Sequence, residues 1–362
     1  MQRCVTVRVS HVDQLSMKLI RVMQILIFAA FALAMTLVAS AVAPPAVTPT
    51  IAPPTADTPY DPTRPAAVVT PAVVPAIPAA QTKLLLDAVR SSGGKSFLWE
   101  VKSKTNVVYL FGTIHVGKRT FYPLPPQVEE ALRQSPRLVV EADISNREGL
   151  GEVDTIIKYQ APDSLDKHIP PPLFLRLKTQ LARLNIPLDA AKSMKPYLIG
   201  GFLSIAEFSK LGYDMNFGVD GYLIGKAKQD GKAILELESQ TGQLNMLNDM
   251  SPTLQEAFLE NAISTLESGK APDQVTGVVN AWQSGDENLM QEVSKSANKG
   301  MRMNDQLDEV LLYSRHEAML KKIDTYLEGR EPYFVAVGSL HLAGPRGLVQ
   351  LLKARGYEVK QL

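Results

Sequence analysis

One pattern occurs twice in this chain and limits its fold more than any other: a short apolar run that ends in Gly-x-x-His. Asn106 to Phe111 (NVVYLF) leads into Gly112-Thr113-Ile114-His115. A helical period follows over Val128 to Gln134, and Arg137 to Val140 reads as a strand closing on Glu141-Ala142-Asp143. Near the C-terminus, Tyr333 to Val337 leads into Gly338-Ser339-Leu340-His341. Leu348 to Ala354 then has helical spacing ended by Gly356, and Tyr357 to Leu362 is a last strand. Short β-rich runs alternating with helices specify an α/β sheet. Ser96 to Val101 adds a hairpin partner to the first unit. Between the units, Gly218 to Gly231 reads as a helix and Ala233 to Leu237 as a strand with Glu236 and Glu238 at its end. The expected fold is a central mixed sheet built from two strand-GxxH-helix-strand units. A helical insertion comes from Leu173 to Phe208 and Leu254 to Leu327, with Met194 to Leu211 and Glu256 to Leu266 as its clearest amphipathic pieces. Side chains at strand ends line the crevice of such a sheet, which gathers His115, Glu141, Glu238 and His341.

The first 80 residues stand apart. Val22 to Ala43 is apolar except for Gln24, Thr36 and Ser40, with Lys18 and Arg21 just before it. This is the composition of an export segment, either a cleaved signal peptide or a membrane anchor, since about 20 apolar residues can cross a bilayer. Ala39-Ser40-Ala41 supplies the small-x-small pattern that favours cleavage, and Met17 offers an alternative start. The positive flank places the chain after residue 43 outside the cytoplasm, in the periplasm or beyond, with residues 22–43 as a possible inner-membrane anchor. Eleven of the 25 prolines fall between Pro44 and Pro78 among Ala, Thr and Val, so residues 44–80 read as a semi-extended, disordered linker. The domain division is thus 1–43, 44–80 and a folded part, 81–362. Past residue 80 there are 33 basic and 34 acidic residues, which excludes a nucleic-acid binder needing a strongly basic face. The single cysteine, Cys4, rules out an intramolecular disulfide or a multi-cysteine zinc site.

Of five histidines, His115 and His341 occupy equivalent places in the repeated unit, and this pairing marks them as functional where one GxxH alone is weak. Each glycine is expected where the backbone turns sharply at a strand end. Two imidazoles with Glu141 and Glu238 make a divalent-metal site, with bonds of roughly 2.0–2.2 Å for zinc; mixed N/O ligation suits Mn, Co or Fe equally. A carboxylate off the metal would act as general base toward an activated water, while without a metal His and Glu can run acid–base chemistry directly. The residues leave both open.

The segments YLFGTIHVG, LVVEAD, GVDGYLIGKAKQDGKAILELESQTGQL and VAVGSLHLAGPRGLVQLLKARGYEV together resemble the TraB/PrgY/GumN family, related to the Tiki metalloproteases, over nearly all of residues 95–362. The resemblance implies an α/β fold shared with erythromycin-esterase-like and ChaN-like proteins. For the Tiki branch it implies divalent-cation-dependent cleavage of peptide bonds near the N-termini of secreted substrates, with manganese or cobalt favoured. His115 and His341 then stand for the two GxxH histidines, Glu141 for the essential glutamate, and Glu238 for the acid of an LE-x-x-Q-like segment. Where relatives commonly have Arg-Asn, this chain has Arg315-His316. Arg315 is expected to hold a substrate carboxylate or to pair with Glu141, with a surface ion pair as the plainer role. His316 reads as an exposed or capping histidine, with a further metal ligand as the alternative; His168 reads as solvent-facing; Asp220 reads as a helix cap, or else as part of the site lining; and Asp143 shares a strand face with Glu141 unless the strand ends before it.

The leading expectation is an exported metal-dependent hydrolase, a peptidase acting on envelope or secreted peptides or proteins. A non-catalytic peptide-sequestering protein and a ChaN-like haem or iron binder are the alternatives. A sugar site ranks last, because Trp99 and Trp282 are the only tryptophans available for stacking.

Overall fold

The computed structural model describes residues 94–146 and 153–362; the segments behind the export, anchor and linker expectations lie outside the described residues. Among the described residues no helix is long and apolar enough to cross a membrane.

The hairpin expected at the start is present, as β1 (Leu98–Lys102) paired antiparallel with β2 (Val107–Thr113). The other strands are β3 (Arg137–Val140), β4 (Ala233–Glu236), β5 (Tyr333–Gly338) and β6 (Glu358–Gln361). They form one six-stranded mixed sheet in the order β4-β3-β5-β2-β1-β6. Only β1 runs against its neighbours, so the C-terminal ends of the other five share one edge. Phe334 to Val337 of β5 are wholly buried, as a strand covered on both faces requires. The edge strand β6 instead alternates exposed and half-buried residues.

The two repeated units are interleaved rather than side by side. β5 lies between β2 and β3, with Gly112 opposite Val337 and Thr113 opposite Gly338. This register sets both GxxH segments next to each other, which the order of elements along the chain does not reveal.

The helices that matter below are α1 (Pro126–Gln134), α2 (Pro171–Arg183), α3 (Pro196–Lys210), α4 (Val219–Gln229), α5 (Gln240–Asn248), α6 (Pro252–Ser268), α7 (Ala271–Ser284), α8 (Glu287–Asn298), α9 (Asn304–Leu311), α10 (His316–Leu327) and α11 (Leu348–Ala354). Proline in the first turn of α1, α2, α3, α6 and α7 takes a position where its missing N–H costs nothing. Helices α1, α4, α7, α10 and α11 pack with the sheet in one core. Helices α2, α3, α5, α6 and α9 form a second core, so the segments flanking β4 merge into one insertion. Its centre, α3, was expected to be amphipathic but is buried from Pro196 through Gly201 and again at Leu203 and Ile205 to Phe208, because neighbours cover it on nearly every side. Leu340, inside the second GxxH, packs against both cores.

Gly112 sits inside β2 rather than at a turn. A Cβ there would lie 2.5 Å from the Phe97 ring and 3.1 Å from the Ser339 Cα, so close packing excludes a side chain. Trp282 Nε1 donates to the Gly112 carbonyl at 2.7 Å, and Trp99 and Trp282 are both buried in the sheet core, which removes them as sugar platforms.

Candidate functional site

Beyond β2 the chain crosses the start of α4. Val219 N–H donates to the Ile114 carbonyl at 3.0 Å, and a Cβ on Gly218 would stand 2.3 Å from the His115 carbonyl oxygen. This approach brings Asp220, in the first turn of α4, onto His115. The His115 Nδ1 and Asp220 Oδ2 are 2.6 Å apart, and Thr113 Oγ1 donates to Asp220 Oδ1 at 2.7 Å. Of the two roles read for Asp220, the structure shows site lining rather than capping; Gly218 holds the N-cap position and the carboxylate is buried facing the histidine. Burial alone would lower the His115 pKa, but the charge and hydrogen bond of Asp220, and then Glu141, outweigh it and raise it.

Glu141, at the end of β3, is 3% exposed. Its Oε1 accepts the Gly338 backbone N–H at 2.6 Å; its Oε2 accepts Arg315 Nη2 at 2.8 Å and Gln243 Nε2 at 3.2 Å. Burial pushes its pKa up, yet Arg315, then His115 and the Gly338 N–H, hold it below the usual carboxylate range. The strand pairing continues past β4, with Glu238 N–H on the Glu141 carbonyl at 2.7 Å, and so delivers Glu238 beside it. Glu238 accepts from Arg315 Nε at 2.8 Å, from Arg315 Nη2, and from Gln243 Nε2 at 2.8 Å.

Arg315 is buried, and its Nη1 donates to the Leu311 carbonyl and to His341 Nε2, both at 2.8 Å. All the N–H donors of a guanidinium are thereby engaged within the protein. The expected pairing with Glu141 is present, whereas a surface ion pair is not, and neither is a free fork for a substrate carboxylate. His341 is also buried, with Nε2 3.6 Å from Glu141 Oε1. Burial, then Arg315, His316 and His115, keep its pKa well below the ordinary histidine value. His316, expected on the surface, is 3% exposed, because the turn before α10 points it inward onto His341. Burial lowers its pKa to about 4.

The structure thus brings together His115, Glu141, Glu238, His341 and Arg315. His168 stays outside, exposed and stacked on Tyr159 with ring centroids 4.1 Å apart. Asp143 turns away, since β3 has ended and its carboxylate accepts the Ser145 N–H at 2.9 Å. Sequence reasoning missed Gln243, whose amide clamps both carboxylates. The signal was its place on the helix following the Glu238 strand end; the glutamine nearest Glu238 in sequence, Gln240, instead holds the carbonyls of Asp143 and Asn146.

A Cβ on Gly338 would meet Glu141 Oε1 at 3.3 Å, His341 Cδ2 at 3.7 Å and His115 Nε2 at 3.9 Å, so this glycine keeps open a cradle ringed by all three. Beside it, the buried Gln243 Oε1 has no hydrogen-bond partner among the described residues. Two imidazoles, two carboxylates and an orphaned carbonyl oxygen fit a divalent ion in their chemistry. In the arrangement seen, no three His, Cys, Asp or Glu side chains among the described residues ring a single point closely enough, and Arg315 stands among them. An ion and the guanidinium cannot share the one lone pair of His341 Nε2.

A mixed α/β sheet with two GxxH histidines and two acids at adjoining strand ends defines the class. The family model described as the TraB/PrgY/gumN family matches residues 97–361, and the chain belongs to that family. It is 27% identical over 254 residues to YbaP of Escherichia coli (strain K12), covering 68% of this chain and 87% of that protein. It is 24% identical over 315 residues to the metalloprotease TIKI1 of Danio rerio, and 24% identical over 312 to TIKI1 of Homo sapiens. Each TIKI1 match covers 73% of this chain, but only 63% and 61% of the respective relative's length. No solved structure matches the chain.

Proposed function

We propose that this chain is an exported divalent-metal-dependent hydrolase that cleaves peptide bonds in secreted or envelope peptides and proteins. The observation that carries the reading is the convergence of His115, Glu141 and His341 around the Gly338 cradle, with Glu238 joined to Glu141 through Gln243 and Arg315. The relatives named metalloproteases support the reaction class, and the apolar segment at residues 22–43 supports export, as a signal or an anchor.

His115 and His341, through Nε2, with Glu141 and Glu238, are the groups that would hold the ion, once Arg315 gives up its hydrogen bond to His341 Nε2. Manganese or cobalt is favoured by the family resemblance, with zinc the third choice. A bound ion supplies Lewis acidity toward a scissile carbonyl and toward water. Asp220 fixes His115 by its Nδ1, the carboxylate support that metal-ligating histidines use to present Nε2. Ligation through Nε2 requires that nitrogen to be unprotonated, so metal loading competes with protons. Glu141, kept ionised by Arg315, is a ligand or the general base. A cleft of about 860 Å³ bordered by Leu312, Tyr313, Leu340 and Arg346 adjoins the segments that carry Arg315 and His341, and is the proposed seat for the substrate chain.

The test is purified, metal-stripped protein incubated with an unbiased peptide mixture, read by mass spectrometry, with Mn, Co or Zn added back beside a His115→Ala control. Cleavage that needs both a metal and His115 is expected. A folded protein that cleaves nothing under any of these ions would sink the proposal.

A further inference from the structure

Two residues adjacent in sequence hold opposite sides of one imidazole. Arg315 Nη1 lies 2.8 Å from His341 Nε2, and His316 Nε2 lies 2.9 Å from His341 Nδ1. A guanidinium can only donate, so His341 Nε2 is the acceptor and the proton of a neutral His341 sits on Nδ1. That proton then goes to His316 Nε2. At the far side, His316 Nδ1 is 2.9 Å from the Arg346 carbonyl oxygen, which can only accept. The directions agree along the whole chain: Arg315 donates to His341, His341 to His316, and His316 to the Arg346 backbone. The His316 ring is further fixed by the edge-on ring of Tyr313, with centroids 5.7 Å apart, and the Arg346 guanidinium covers Tyr313 at 3.9 Å.

We infer that His316 is a positioning residue that holds His341 in the tautomer with its proton on Nδ1, so that the Nε2 lone pair faces Arg315, where a cation can replace the guanidinium as its partner. With Nε2 protonated instead, His341 would turn an N–H toward Arg315 and could neither accept that hydrogen bond nor bind a cation. The inference deepens the reading of His341 as a ligand and rests on that reading only for its metal arm. Packing alone would not need His316 to be an acceptor. An aromatic ring of similar size would fill the same space, and it is the nitrogen facing His341 that the tautomer depends on.

The experiment uses the full chain in detergent, labelled with ¹⁵N-histidine; with five histidines, the ring-nitrogen spectrum is resolvable and a His341→Gln sample identifies the His341 signals. In metal-free wild type, His341 is expected to show a protonated Nδ1 and an unprotonated Nε2. His316→Phe should move His341 toward the Nε2-protonated form, whereas His316→Asn, which keeps a carbonyl acceptor, should retain the wild-type pattern in whole or in part. In the metal arm, manganese affinity should fall about 10- to 100-fold in His316→Phe, the usual cost of losing a group that orients a ligand. Protonation of His341 on Nε2 in wild type overturns the inference without any variant, even if His316→Phe fails to fold. An unchanged tautomer in a folded His316→Phe protein overturns it equally. If the tautomer shifts as expected but no protein binds manganese, the positioning role stands and the metal reading fails.

Discussion

Replacing Arg315 with Met removes the guanidinium that pairs with both Glu141 and Glu238 while keeping most of its apolar stem. At 2.8 Å, the Arg315–Glu141 contact has a gross attraction of about 6 kcal/mol at an effective dielectric of about 20. Desolvation of the buried Glu141 takes much of this back, so the measurable quantity is the cost of leaving charge uncompensated, about 3–5 kcal/mol. Gln243 bridges the two acids but brings no charge, and Glu238, with its side chain 18% exposed, can relax toward water where Glu141 cannot. The loss has a definite pH dependence. In the wild type, Glu141 is held below the ordinary range, so its contribution is complete above roughly pH 4.5 and is lost as pH falls through the folded value. Without Arg315, burial dominates and the carboxyl is raised, so the variant loses stability as pH rises through that raised value. The gap between the two proteins is therefore widest near neutrality and narrows toward about pH 4. Urea denaturation of both proteins across this range measures it, and adding Glu141→Gln to the variant should restore most of the loss. A gap under about 1 kcal/mol at neutral pH, or one that does not change with pH, would refute the reasoning.

Asp220→Asn should leave the fold intact by circular dichroism but cut peptide turnover by about 10²- to 10⁴-fold, because an amide can no longer compel Nδ1 of His115 to carry the proton. Gly338→Ala should cost about 1–3 kcal/mol of stability in thermal melts, since the new methyl would stand 3.3 Å from Glu141 Oε1 and push on a carboxylate held by four hydrogen-bond and ionic contacts. Away from the site, burial raises the half-buried Asp308 to about 6, so the fold loses stability as pH climbs from the unfolded value to the folded one. Discounted for its partial exposure, Asp308→Asn should gain about 1 kcal/mol, or roughly 2 °C in Tm, above pH 6 and nothing near pH 4, read by calorimetry at both.

Local patterning in the chain carries the kind of fold and most of the site. Runs such as YFVAV admit a buried strand and little else, and the repeated strand-GxxH unit marks His115 and His341 together with the acids Glu141 and Glu238 at neighbouring strand ends. These signals lie in period, composition and spacing within a few residues. Everything else depends on contacts between distant parts of the chain. Sheet order, with β5 inserted between β2 and β3, puts the two GxxH segments side by side. The approach of α4 to the loop after β2 converts Asp220 from an expected cap into the partner of His115. The inward turn before α10 buries Arg315 and His316 on either side of the His341 ring, although helical position alone suggested an exposed or capping role for His316. Of the two GxxH glycines read as turn formers at strand ends, Gly338 does end β5, while Gly112 lies inside β2, where Phe97 and Ser339 leave no room for a Cβ. A side chain's chemistry is written in its letter, but its partners are set by which strand ends the sheet brings to the same edge.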